Sequence, residues 1–182
     1  MKLKLNNVRL AFPVLFEAKT VNGEGKPAFS AAFILDPANP QVKVLNAAID
    51  QVANEKWGAR AAAILKQMRA TDKVALHDGD LKSSYDGFPG NLYVSARSTT
   101  RPLVINNDKS PLTEPDGRPY AGCFVNASIE LWAQDNNYGK RVNASLRGVQ
   151  FLRDGDAFAG GGAASEDEFD DISAGATADD LV

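Results

Sequence analysis

Hydrophobic and polar positions alternate with a period of two over several stretches of the chain, and clusters of Gly, Pro, Asn and Asp separate them. Strands are expected near residues 3–11, 28–35, 91–98, 121–133 and 141–152, with a short one near 102–106. Between the second and third the period changes. Val42, Leu45, Ile49 and Val52 recur at helical spacing behind Asp36-Pro37-Ala38-Asn39-Pro40, and Ala61 to Met68 suggests a further turn or two. The resulting order, β-β-α-β-β-β with five principal strands, suits a mainly β fold: a small, partly open Greek-key barrel with an inserted helix. The stretch Asn106 to Pro119 holds three prolines and the pairs Asn106-Asn107 and Asp116-Gly117, so it is expected to project as a long connection.

Because successive strand side chains point to opposite sides of a sheet, each strand sorts into two faces. In 91–98, Leu92, Val94 and Ala96 oppose Tyr93, Ser95 and Arg97. In 121–133, the series Cys123, Val125, Ala127, Ile129 and Leu131 opposes Phe124, Asn126, Ser128, Glu130 and Trp132. In the last strand Val142, Ala144 and Leu146 face in, Asn143, Ser145 and Arg147 face out, and beyond Gly148 the apolar parity switches to Val149 and Phe151. A bulge at Gly148 accounts for the switch.

The outward faces therefore mix aromatic rings with cations. Single-stranded nucleic acid is bound by such surfaces: bases stack on rings, phosphates meet Lys and Arg, and stacking, worth about 1–3 kcal/mol per base, ignores sequence. Candidate stacking residues are Tyr93, Trp132 and Tyr138, with Tyr85 and Phe88 as further rings; candidate phosphate contacts are Lys82, Arg97, Arg101, Lys140, Arg141 and Arg147. Any one outward ring is as readily packed under a helix or loop, and any one cation as readily solvated. The combination carries the reading.

Charge divides the chain further. Residues 1–153 hold all 20 Lys and Arg against 14 Asp and Glu, a balance of +6, whereas the last 29 residues hold nine acids and no Lys or Arg, a balance of −9. The run Ala159-Gly160-Gly161-Gly162-Ala163-Ala164 marks a flexible linker, and the acidic, apolar-poor stretch behind it is expected to be disordered. We divide the chain into a body at 1–157 and a linker and acidic tail at 158–182. Around its acidic cluster the tail carries a few apolar groups, so Glu166, Asp167, Glu168, Phe169, Asp170 and Asp171 form a candidate partner-binding segment. Tethered to a basic body, the tail would also visit its groove at high effective concentration and compete with nucleic acid there.

Several function classes fall away. One cysteine and one histidine, Cys123 and His77, supply neither a disulfide nor a Cys/His zinc site, and no cofactor-binding loop is present. No apolar run approaches the ~20 residues of a membrane span, and no signal peptide is seen, so a cytosolic location is expected. Asp72, Asp78, Asp80 and Asp86 resemble a nuclease metal cluster only superficially, since Gly79 and Gly87 among them fit turn chemistry. His77 beside Asp78 lacks a nucleophile motif. A protein-interaction scaffold or virion component stays open as a second reading. Weak duplex binding through backbone charge is compatible with the sequence, as is a homodimer.

Tyr93 to Pro102, Tyr120 to Trp132 with its Tyr-Ala-Gly-Cys block, and Gly139 to Phe158 with Gly-Val-Gln-Phe and Arg-Asp-Gly together resemble a family of tailed-phage single-stranded DNA-binding proteins, long known only as a domain of unknown function. The resemblance covers the body. It implies an OB-fold that coats single strands in phage DNA replication, recombination or repair. It also implies an acidic tail that competes with DNA and recruits replication or recombination proteins; here the tail matches by composition alone.

Overall fold

Alternation turns into strand where expected, and the elements are longer than the pattern alone suggests. In chain order they are β1 (Lys2–Val21), β2 (Glu24–Leu35), α1 (Gln41–Trp57), α2 (Ala61–Ala70), β3 (Leu76–Asp78), β4 (Leu92–Ser98), β5 (Leu103–Ile105), β6 (Phe124–Asn136) and β7 (Gly139–Arg153). The computed structural model describes residues 1–21, 23–158, 170 and 172.

β1 pairs antiparallel with β2 and with β6, β2 pairs with β4, and β6 pairs with β7. β7 then meets β4 in parallel, Arg97 beside Ser145, which closes β1-β2-β4-β7-β6 into a five-stranded barrel. Two short strands lie at the edges: β3 on the start of β4, and β5 parallel to the end of β7. This is the partly open OB-like barrel expected.

The inward series is buried as its parity requires: Val94 and Ala96, then Cys123 through Leu131, then Val142, Ala144 and Leu146, with Leu92 at the strand start half-buried. Ser128 pairs with Gly148 and Ile129 with Leu146, so Arg147 is the extra residue of a β-bulge and Val149 and Phe151 turn inward behind it. Gly148 suits this point, because a Cβ here would lie 3.2 Å from the Leu103 carbonyl oxygen of the incoming edge strand, a tight contact that the neighbour would have to relieve.

α1 and α2 close the end of the barrel where β2 finishes. Leu45, Ala48, Ile49, Val52 and Ala53 form the buried stripe of α1, and Leu65 and Met68 that of α2. The chain breaks between them at Gly58 (φ 55), a left-handed backbone that glycine adopts without steric cost. Trp57 Nε1–H donates to Asp135 at 2.9 Å, fastening α1 to the β6–β7 hairpin.

Three expectations change. β1 continues ten residues past residue 11, to Val21; pattern reading stops at Phe12-Pro13, whereas the strand passes this point with its register shifted between Ala11 and Val14. The connection 106–119 does not project freely. Leu112 N–H bonds the Val104 carbonyl at 3.0 Å, and Thr113 and Asp116 cap a single helical turn at Glu114–Asp116. Phe158, assigned by composition to the linker, packs on the body: its N–H donates to the Ala121 carbonyl at 3.0 Å and its ring lies under the Arg9 guanidinium at 4.3 Å.

Candidate nucleic-acid interface

The outer surface of β2 and β4 runs between the β1–β2 hairpin at one end of the barrel and the β6–β7 hairpin at the other, the surface and loops with which OB barrels hold oligonucleotides. Pairing register arranges this surface in rows. Ser30 of β2 stands beside Arg97 of β4, which stands beside Ser145 of β7. One step along, Ala11, Ala32 and Ser95 form the next row, and Arg9, Ile34, Tyr93 and His77 the one after. Of the small side chains in these rows, Ser95 is exposed and Ser30 half-buried beside Arg97, whereas Ala11 and Ala32 are buried.

Arg97 is exposed and donates to the Lys26 carbonyl of β2 at 3.2 Å, which holds the guanidinium over the strand pair while leaving most of its donors free. Arg101 is also exposed and lies 5.7 Å from the Phe29 ring. Lys82 Nζ lies 5.8 Å from the Phe12 ring and 6.0 Å from each of the Tyr85 and Tyr93 rings, a cation above an aromatic cluster.

Within that cluster Tyr93 requires correction as a stacking residue. Its parity is outward, yet the ring is 5% exposed, covered edge-on by Phe88 at 5.1 Å and stacked on His77 at 4.9 Å. Residues 79–90 fold back over the start of β4, so Ala11, Ala32, Ile34, Phe88 and Tyr93 make a second small core outside the barrel. Burial, reinforced by the Asp72 carboxylate, pushes the Tyr93 hydroxyl above its ordinary range. Phe88 is buried with it, whereas Tyr85 and Phe12, at 51% and 45% exposed, present their rings to solvent.

The remaining candidates lie on the β6–β7 side. Tyr138, at the hairpin tip, is 87% exposed, and Trp132 is 44% exposed opposite Asn143 on the outer face. Arg141 stands on the same face opposite Gln134. Arg147 pairs with Glu130 at 3.1 Å, one strand over from Arg97. Lys140 does not join this group: adjacent strand residues face opposite ways, and its ammonium pairs with Asp135 at 3.5 Å on the side that bonds Trp57. The Trp57 hydrogen bond first, then the Lys140 charge, holds the Asp135 carboxyl below the usual carboxylate range.

Of the tail candidates only Asp170 is described, and it is exposed; Glu166, Asp167, Glu168, Phe169 and Asp171 lie outside the described residues. Phe12 escaped the sequence reading. It sits at the β1 register shift with a left-handed backbone (φ 48), so strand parity gave no warning of an exposed ring.

The acids before β4 perform turn chemistry. Asp78 accepts from the Asp80 N–H and Asp80 from the Gly90 N–H, both at 2.9 Å, and Asp72 meets His77 Nδ1 at 2.6 Å.

A family model described as the ssDNA-binding protein of Enterobacter phage Enc34 matches residues 1–182. The chain belongs to this family of phage single-stranded DNA-binding proteins. Its similarity to the Enc34 protein extends to structure: the form solved in complex with ssDNA superposes with a TM-score of 0.73 at 27% identity, covering 86% of this chain and 88% of that one. Protein p50 of Acyrthosiphon pisum secondary endosymbiont phage 1 is 52% identical over 176 residues, 95% of each chain. The single-stranded DNA-binding protein gp2.5 of bacteriophage T7 shares the fold, with a TM-score of 0.56 at 14% identity over 84% of this chain and 91% of that one. The Enc34-type family binds DNA and is not catalytic, which sets the nuclease reading aside. No helix among the described residues is long and apolar enough to cross a membrane.

Proposed function

We propose that this protein coats single-stranded DNA without regard to sequence during phage replication, recombination or repair in the host cytoplasm, with the strand laid across the outer surface of β2 and β4. One observation carries the path: exposed Ser95 and half-buried Ser30 lie beside exposed Arg97, on the strand pair that leads to the ring cluster under Lys82. Backbone phosphates follow Arg97, Arg101 and Lys82, and continue toward Arg141 and Arg147 on the β6–β7 side. Tyr138, Trp132 and Tyr85 offer ring faces to bases. One barrel of this kind occludes roughly 4–16 nucleotides. No bond is made or broken.

The acidic tail competes with DNA for this surface and receives replication or recombination proteins. Its nine acids against a body of +6 support the competition, and Phe158 supports the geometry, because its place beside Ile34 and Gly87 starts the tail next to the proposed path.

The test is a fluorescence-anisotropy titration of labelled oligo-dT at two salt concentrations, with duplex of equal length as competitor. Tight, salt-sensitive binding that duplex competes for poorly is expected. Binding that is indifferent to salt, or equal for duplex, would overturn the proposed path.

A further inference from the structure

Beside the β2–β4 surface, on the β1 side, the chain forms a cleft of about 540 Å³, within the roughly 300–1,000 Å³ of small-ligand sites. Rings line it from four separate segments: Phe12 and Phe16 from β1, Tyr85 and Phe88 from the turn before β4, Tyr120 from the loop before β6, and Phe158 from the end of the body. Lys19 and Arg118 stand in its walls together with Asp86 and Glu114, and Lys82 lies above Phe12 and Tyr85 at its mouth.

The backbone at the mouth is informative. Phe12 adopts φ 48, a left-handed conformation that is strained for a bulky residue and persists only where the surroundings impose it. Its ring is nonetheless 45% exposed, edge-on to Tyr85 at 5.0 Å. One side of the ring packs on buried Phe88, 5.6 Å between centroids, and the rest faces solvent and the cleft. A glycine would satisfy the backbone; the ring serves both that packing and the cleft.

We propose that this cleft is a base-insertion subsite: one unstacked base of the bound strand enters between Phe12 and Tyr85, while its flanking phosphates meet Lys82 and Lys19. The subsite rests on the DNA path proposed above and meets it at Lys82, which stands over Phe12 and Tyr85 of the cleft and over Tyr93 of β4. Its ligand is a nucleobase within a single strand: the rings offer stacking faces and Lys82 and Lys19 offer cations to the phosphates, while Asp86 and Glu114, which also line the cleft, favour entry of the base over entry of a phosphate. A duplex base cannot enter without being unpaired, so the cleft adds a selection for single strands that backbone charge does not provide.

The experiment is photo-cross-linking of the full-length protein to oligo-dT carrying 5-iodouracil, with cross-linked residues mapped by mass spectrometry, alongside anisotropy titrations of Phe12→Gly and Tyr85→Ala. Phe12→Gly suits the left-handed backbone, and its melting temperature, measured alongside, separates loss of the cleft ring from loss of the packing on Phe88. Cross-links at Phe12, Phe16 or Tyr85 are expected, with affinity reduced about tenfold in each variant and the salt slope unchanged, since stacking releases no counterions. Cross-links confined to the β6–β7 hairpin, with both variants binding as wild type and Arg97→Ala binding weakly, would overturn the subsite and leave the path standing. Failure of the wild type to bind oligo-dT would remove both.

Discussion

Three residues show how environment decides what a side chain does. Arg97, with its guanidinium steadied by one backbone carbonyl and otherwise open to solvent, is the cation best placed for a phosphate. Arg97→Ala should weaken oligo-dT binding by about tenfold and reduce the dependence of log K on log salt by about 0.7, the loss of one single-strand phosphate contact. Titrations at four salt concentrations measure both. Tyr93 has the same strand parity and the opposite fate. With its ring packed between Phe88 and His77, Tyr93→Phe should bind DNA as wild type, and a loss of affinity at unchanged melting temperature would put its hydroxyl back on the DNA. Cys123 is fully buried, and burial pushes its thiol up to about 11. It should resist iodoacetamide at pH 8 in the native protein and react once denatured, as mass spectrometry would report.

Among the elements, alternation made the inward faces of β4, β6 and β7 and the bulge at Arg147–Gly148 legible in the sequence, because parity is a local property. What covers an outward face is not local. The sequence gives Tyr93 its direction, but the segment that buries it, residues 79–90, lies over β4 by tertiary packing. Lys140 parts from Arg141 for a different reason: two adjacent cations read as one patch in the sequence until pleating sends them to opposite faces. The aromatic cleft was invisible because it gathers rings from distant segments around a strand that runs through a proline. The Trp57–Asp135 tie between α1 and the β6–β7 hairpin carries a prediction at this level. Since the carboxyl is held below its ordinary pKa, the tie stabilises the fold above pH ~4, where the unfolded carboxylate is also charged, and is lost as pH falls through the lowered folded value. Trp57→Phe should therefore lower the melting temperature at pH 7, by an amount that shrinks as the medium is acidified below pH ~4. A deficit independent of pH would assign the whole effect to packing.

At the scale of the molecule, a body of +6 and a tail of −9 share one chain, and the body ends with Phe158 fastened beside the proposed path. The fastening is specific. Arg9 donates to the Asp156 carbonyl at 2.8 Å, the Tyr120 hydroxyl meets Asp154 at 2.7 Å, and Gly122 (φ 103) leaves room where a Cβ would lie 2.1 Å from the Asp156 carbonyl oxygen. Residue 158 therefore sits at a fixed point beside the proposed path, and under the competition proposed above, tethering there would raise the tail's effective concentration at the groove. Deleting residues 159–182 should tighten oligo-dT binding at low salt, and the gain should fade as salt rises and screens both tail and DNA. Gly122→Val, which cannot accommodate the docked 154–158 segment, should release the tail's origin while leaving its charge in place, and should reproduce part of that gain. If deletion tightens binding and Gly122→Val does not, competition depends on the tail's charge alone. Unchanged or weaker binding after deletion would end the competition model, because nine negative charges can leave a cationic groove without effect on DNA only if they do not reach it.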